Sequence, residues 1–286
     1  MATREAAATK KSRRQKKLDR WTYTALILIT VLVNLPFIQM VMTSLKSRLE
    51  AITSTNFFPQ QISFESFSNV MTKSQFLLNM FNSLKIALIV TLMCIIFAVM
   101  AGYAVSRFRG AVFNAYTTFM LILQLFPGVL MLIPLFIIFR KMNLIDNHLS
   151  TILAYTTSNL PFSIWLLKGF FDSIPDDIEQ AGMIDGCSRF GTFWRLVLPV
   201  SMPGVSTVAI FTFINAWGEF TVASILLRSD ALATMTVGLQ KFKLQFTTDW
   251  PSLMAASALC TIPTLCFLVF AQKYLIRGMS AGSVKG

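Results

Sequence analysis

Residues able to do chemistry are scarce in this sequence, and where they fall limits what they can do. Within the apolar stretches the one acidic side chain is Glu219, in the run NAWGEF. A carboxylate at a bilayer centre costs on the order of 2.5–3.5 kcal/mol on insertion scales, so Glu219 must face an interior or an aqueous route. Two roles are open to it: a hydrogen bond between helices, with Asn215 or a partner subunit, or contact with a polar solute. Asn215, Trp217 and Glu219 are therefore the candidate residues of a translocation path. A proton-driven carrier needs several such groups, and one carboxylate is thin material for it. Cys94, Cys187, Cys260 and Cys266 show no C-x-x-C or ligand spacing; they read as packing residues, and no metal site is expected. His148 falls in a short polar loop and reads as a solvated side chain. No G-x-x-x-x-G-K-S/T, H-E-x-x-H or G-x-S-x-G occurs, and no G-x-G-x-x-G follows a strand, so no catalytic residue is assigned.

The second informative stretch is a polar island between apolar segments, Ile174 to Pro203, IPDDIEQAGMIDGCSRFGTFWRLVLPVSMP. Ser173 is placed to cap a short helix there, with Pro175 in its first turn and Asp176, Asp177 and Glu179 favouring the positive helix end. Gly186 should stop this helix. Ser188 is placed to cap a second, FGTFWRLVL, which Leu198-Pro199 should end because proline disfavours helical geometry in the residue before it. Two short helices joined at a glycine make a knob suited to a soluble partner.

The elements that carry these residues follow from composition. The 286 residues are 55% hydrophobic and only 13% charged, with a mean hydropathy of +0.63; soluble domains carry roughly a quarter charged residues. This is the composition of an all-α polytopic membrane protein embedded in a lipid bilayer. The net charge of +12 does not indicate nucleic acid, because eight of the 25 basic residues lie in the first twenty positions. Residues 1–20 read as a mobile basic arm. Residues 21–286 read as the membrane domain, with six spans near 21–44, 79–104, 112–139, 150–168, 203–227 and 253–274, a loop over 174–203 and a tail over 275–286. With the N terminus inside, sixteen Lys and Arg fall on the inner segments and eight on the outer loops; without the arm the two sides are equal. Both termini are thus expected in the cytoplasm. Pro36, Pro127-Gly128, Pro134, Pro161 and Pro263 should interrupt spans, which lipid tolerates only where neighbouring helices or a cavity satisfy the freed backbone. The stretch SFESFSNVM should form an amphipathic helix at the outer surface.

The island resembles the cytoplasmic motif of permeases of binding-protein-dependent ABC importers: Glu-Ala-Ala, three residues, Gly, nine residues, Ile, one residue, Leu-Pro. Aligned on Gly186, it places Gln180-Ala181-Gly182 six residues before, Leu196 ten after, then Leu198-Pro199. Spacing fits throughout, while Gln180 replaces Glu, Gly182 the second Ala, and Leu196 Ile. Glu179 is no simple substitute, since one residue turns a helix by about 100°. QLFPGVLMLIPLF, NLPFSIWLLKGFFDSIP, AWGEF and RGMSAGSVKG are similar to the second permease subunit of maltose-type carbohydrate importers, a likeness covering about residues 21–286. Gly218 departs from the Asn of many relatives.

The resemblance implies a type I ABC importer permease fold with a cytoplasmic coupling-helix loop, in a bacterial or archaeal inner membrane. It implies a second, homologous permease, a dimer of ATPase subunits that bind ATP and Mg, an extracytoplasmic solute-binding protein, and a carbohydrate substrate, with no cofactor in this chain. Gln180, Ala181, Gly182, Asp185, Gly186, Leu196, Leu198 and Pro199 would then couple to the ATPase. The tail, through Ser280, Gly282, Val284 and Lys285, would reach between the ATPase subunits as an extended strand, the alternative being a frayed terminus. Two further readings stay open: a secondary carrier or channel for a polar solute, and a membrane scaffold without a transport role.

Overall fold

The computed structural model describes the backbone of residues 2–282 apart from 109 and 244–247, and the side chains of 20–272 apart from 73 and those same positions. Among the described residues every regular element is helical, with one isolated bridge between Lys243 and Thr248. Helix α1 runs from Ala2 to Ser44. The backbone of the basic arm thus continues a helix, as its run of Ala, Lys, Arg and Gln favours. After the short helices α2 (Arg48–Thr53) and α3 (Glu65–Ser68), a π-turn over Asn69–Lys73 leads towards α4 (Phe76–Arg107). The SFESFSNVM stretch is helical as expected, and it buries Ser66 and Val70.

The third expected span is two helices, α5 (Ala111–Leu125) and α6 (Leu132–Lys141), meeting at 97° across a 3-10 turn at Gly128–Met131. Phe126, the residue before Pro127, is extended, with φ −75° and ψ 127°, the geometry that a following proline imposes. Helix α7 (His148–Asp172) follows. The island holds α8 (Asp176–Ile184), α9 (Arg189–Thr192) and α10 (Leu198–Val200), and the fifth expected span is α11 (Met202–Gly218) plus α12 (Thr221–Leu226), broken at Glu219–Phe220. Beyond α13 (Met235–Leu239), α14 (Trp250–Gly282) ends the described chain. Interruption at Pro36, Pro161 and Pro263 is not found: α1, α7 and α14 run through these prolines, and Pro134 sits in the first turn of α6, where its missing N–H has no intrahelical partner to lose.

Among the described residues three helices are long and apolar enough to cross a membrane, Arg20–Ser44, Phe76–Arg107 and Trp250–Gln272, and two bent pairs qualify jointly, Ala111–Leu125 with Gly128–Lys141 and Arg189–Val200 with Met202–Gly218. At 25 residues α7 spans ~37 Å and is also long enough. Its apolarity is diluted because the face it buries is partly polar, with Ser150, Thr151, Thr156, Asn159 and Ser163 turned inward.

Helix α4 is the hub. Its buried positions, Asn79, Asn82, Ser83, Ile86, Ala87, Val90, Thr91, Cys94, Ala98, Gly102 and Val105, recur every three or four residues and make one stripe. It packs on α7 and α11, α11 packs on α14, and α14 on α1. Small residues set the close approaches: a Cβ on Gly102 would lie 3.2 Å from Leu167 Cβ and 3.3 Å from Ile164 O, and one on Gly204 would lie 2.5 Å from the Phe170 ring. Phe213 of α11 stacks between Trp217 and Phe267, at 5.8 and 3.9 Å between ring centroids. By contrast α5 buries no residue, and no residue of the apolar window of α1 is buried.

At the end of the bundle remote from the island, side chains tie the loops down. Asn82 Nδ2 donates to Ala231 O (2.9 Å) and Ala233 O (3.1 Å), and Met235 N donates to Ser83 Oγ at 2.8 Å. Asp146, in a left-handed conformation (φ 59°), accepts from the N–H groups of Arg228 and Ser229. His148 is not a free loop side chain: it opens α7, half-buried, and its Nε2 donates to Leu232 O at 2.9 Å. Because backbone atoms of α7 face Gly102, Gly102→Val should lower stability by about 1–3 kcal/mol through overpacking, read as a lower Tm of the purified protein in detergent.

Candidate functional site

The island is built largely as expected and better anchored. Helix α8 ends in a Schellman turn: Cys187 N donates to Gly182 O (3.0 Å) and Gly186 N to Met183 O (3.1 Å), with Gly186 at φ +87°. Asp185 is the C-cap. Ser188 caps α9, accepting from Gly191 N at 3.1 Å. Two expectations fail. Ser173 does not cap α8; it ends α7, its Oγ donating to Phe170 O, and Pro175 stands at the N-cap with no side-chain bond. Nor does Leu198-Pro199 end the second helix. A π-turn over Phe193–Val197 lets Leu198 N reach Phe193 O, and this widened turn absorbs the proline ring, so the helix continues to Val200 and bends by 70° at Ser201.

The substitutions at Gly182 and Leu196 explain each other. Gly182 is buried where α8 crosses the second helix, and a Cβ there would stand 2.6 Å from Leu196 Cδ1 and 3.1 Å from Thr192 Oγ1 and Cγ2. The longer reach of Leu occupies the room an alanine methyl would need. Leu198 packs against the cluster that contains Phe171, Phe193 and Val197, while Gln180, Ala181, Asp185, Gly186 and Pro199 are exposed. The sequence reading missed the apolar side chains the turn displays: Ile184 is 86% exposed and Phe190 71%, beside Met183 and Trp194. Their signal was available, as large apolar residues flanking the motif glycine outside any span.

In the bundle, α7 and α11 run antiparallel with a polar seam between them. Tyr155 Oη donates to Glu219 Oε2 (2.6 Å), Asn215 Nδ2 donates to Asn159 Oδ1 (3.2 Å), and the hydroxyls of Ser163 and Thr212 lie 3.5 Å apart. Glu219 does not bond Asn215, the expected partner. Its carboxylate accepts from Tyr155 and from the N–H groups of Val222 (2.9 Å) and Ala223 (3.2 Å), which are first-turn donors of α12 without intrahelical partners. Its carbonyl accepts from Thr236 Oγ1 at 2.7 Å. Tyr155, Ser158, Asn159, Asn215, Glu219 and Thr221 line one wall of a cavity of about 420 Å³, and the break at Gly128–Leu132 closes the other. Trp217 does not line it; it is buried against Phe213. Of the tail residues, Ser280 and Gly282 lie in the helical backbone of α14, where extended chain is expected, and Val284 and Lys285 fall outside the described residues. Among the described residues no group of His, Cys, Asp and Glu is arranged to hold a metal.

Compared with known proteins, residues 94–281 match the family described as binding-protein-dependent transport system inner membrane component. This chain belongs to that family. The permease is 35% identical over 259 residues to the sulfoquinovosyl glycerol transport system permease protein SmoH of Agrobacterium fabrum, covering 90% of this chain and 91% of that one. It is 35% identical over 208 residues to the trehalose/maltose transport system permease protein MalG of Thermococcus litoralis, covering 72% and 74%. Its fold matches a chain of a bacterial ABC transporter involved in the import of the acidic polysaccharide alginate, with a TM-score of 0.77 at 22% identity over 92% of this chain and 98% of that one. The permease thus has the helical fold of ABC importer permeases.

Two variants of this permease test the site's construction. Gly182→Leu should force α8 off the second helix and lower the Tm, whereas Gly182→Ala should lower it far less: its methyl displaces the flexible end of Leu196 and presses on buried Thr192, and alanine's helix propensity, about 1 kcal/mol better than glycine's, offsets part of that strain. Glu219→Gln turns an amide N–H₂ towards backbone donors and should cost about 1–3 kcal/mol, more than Tyr155→Phe, when both are compared by thermal unfolding in detergent.

Proposed function

We propose that this chain is the transmembrane subunit of a binding-protein-dependent ABC importer for a carbohydrate, an oligosaccharide or other glycoside by preference, and that it forms half of the translocation path. The observation that carries this reading is the α8–α9 knob. It is a rigid turn outside the spans, pinned at Gly182 and Leu196, that holds Ile184 and Phe190 in the open. Burying such side chains is worth about 1.5–3 kcal/mol each, so the turn favours a partner with an apolar cleft. That partner is a separate ATPase dimer, which binds ATP and Mg and does the hydrolysis; this chain supplies no catalytic residue.

In this reading the knob and both termini lie in the cytoplasm, and the tail from Ser280 to Lys285 is a second ATPase contact. The loop cluster held by Asn82, Asp146 and His148 faces outward, where a solute-binding protein delivers the sugar. The unburied apolar faces of α1 and α5 meet a second, homologous permease and lipid. The cavity beside the seam contributes hydroxyl- and amide-binding groups to the path, in keeping with sugar chemistry, and the relatives' names point the same way. A carrier mechanism loses its one residue, because the Glu219 carboxylate is already committed to Tyr155 and the start of α12.

The test is reconstitution with the neighbouring permease, ATPase and binding-protein genes in proteoliposomes, measuring ATP-dependent uptake of labelled oligosaccharides. Uptake that needs all four components is expected; uptake by this chain alone, driven by an ion gradient, would sink the proposal. In the same assay Ile184→Asp should weaken ATPase binding about tenfold or more. Gly186→Val should reduce coupled uptake, because the left-handed conformation costs a β-branched residue about 1–2 kcal/mol, and Gly186→Asn should largely retain it.

A further inference from the structure

The island is tied to the end of α4 by a cluster of side chains centred on Arg107. Arg107 is the last residue of α4, and its side chain is 13% exposed. Its Nε donates to Glu179 Oε1 at 2.5 Å, its Nη2 to Ile174 O at 3.1 Å, and its Nη1 to Ser106 Oγ at 3.2 Å while lying 3.4 Å from Asp176 Oδ1. Tyr103, one turn earlier, donates to the other oxygen of Glu179 at 2.7 Å, and Ser106 Oγ donates to Asp172 Oδ1 at 2.6 Å. The Glu179 side chain is only 16% exposed. Glu179 is thus turned inward by the same rotation that leaves Gln180, at the motif's acidic position, facing out.

This cluster grips three things at once: the last turn of α7 through Asp172, the linker through Ile174 O, and the first turn of α8 through Asp176 and Glu179. The N terminus of α8 has no side-chain cap of its own, so its direction is fixed by α4. Helix α4 in turn is packed against α7 and α11, which carry the polar seam. A guanidinium that satisfies carboxylate, carbonyl and hydroxyl together resists rotation far better than a point charge does.

We propose that Arg107 is a positioning residue of the transport cycle: through Glu179 it makes α8 and α4 move as one body, so that displacement of the knob reaches the helices around the cavity. This rests on α8–α9 being the ATPase seat. The test uses the complete transporter in proteoliposomes, with binding protein, and records ATP hydrolysis and sugar uptake separately. Arg107→Met should leave the complex assembled and hydrolysing ATP while uptake per ATP falls about tenfold, and Arg107→Lys, which keeps the charge but not the fork, should recover only part. Glu179→Gln should reproduce the defect, and the Arg107→Met/Glu179→Gln double variant should be no worse than either single one, the signature of one shared interaction. An unchanged uptake-to-hydrolysis ratio in Arg107→Met overturns the proposal. So does failure of all these variants to assemble, since the pair would then only hold the fold. Ile184→Asp separates the two levels: if it neither weakens ATPase binding nor lowers uptake, the seat itself is misplaced, whatever Arg107 does.

Discussion

Lipid supplies no hydrogen bonds, so a spanning helix that breaks must bring partners for the backbone groups it frees. This constraint organises the molecule. The breaks at Phe126–Gly128 and at Glu219–Phe220 lie beside the same cavity, and the second is mended by the residue that stands in it. Glu219 accepts from two orphan N–H groups of α12 and from Tyr155, and its carbonyl takes the Thr236 hydroxyl. A charge that would be expensive in hydrocarbon thereby becomes the means of ending one helix and starting another around a hollow.

The same economy of polar groups shapes α7. Its buried face carries serine, threonine and asparagine, and Asn159 and Ser163 pair across to α11. The result is a bundle with apolar surface exposed along α1 and α5 and, inside a largely apolar interior, a polar seam between α7 and α11.

Much of this was legible in the sequence, for identifiable reasons. Where the helices lie follows from apolar runs, and the register of the island follows from a fixed spacing about one glycine, whose left-handed backbone is a local property. Failures came where a competing local bond or a distant contact decides. Ser173 lost its capping role to the end of the preceding helix, and Pro199 was accommodated by a π-turn that nothing in the local sequence announces. Glu179 and Arg107 are 72 positions apart, and no spacing rule links them. Trp217 was placed beside the path because its neighbours are polar, yet on the helix it points the other way, into an aromatic stack. The exposed Ile184 and Phe190 were visible as residues but not as a surface.

The contacts between α7 and α11 share a numerical relation: Tyr155 with Glu219, Asn159 with Asn215 and Phe170 with Gly204 each sum to 374, and Ser163 with Thr212 to one more. Slipping one helix by a turn, ~5.4 Å, would set Tyr155 opposite Asn215 and Asn159 near Thr212, pairs that can still hydrogen-bond. Polar chemistry therefore tolerates more than one alignment. The aromatic ring does not, because a one-turn slip would bring Phe170 against Val208 or Val200, and only a residue without a side chain leaves room for it. Gly204 acts as the index mark of a vernier whose other graduations are interchangeable.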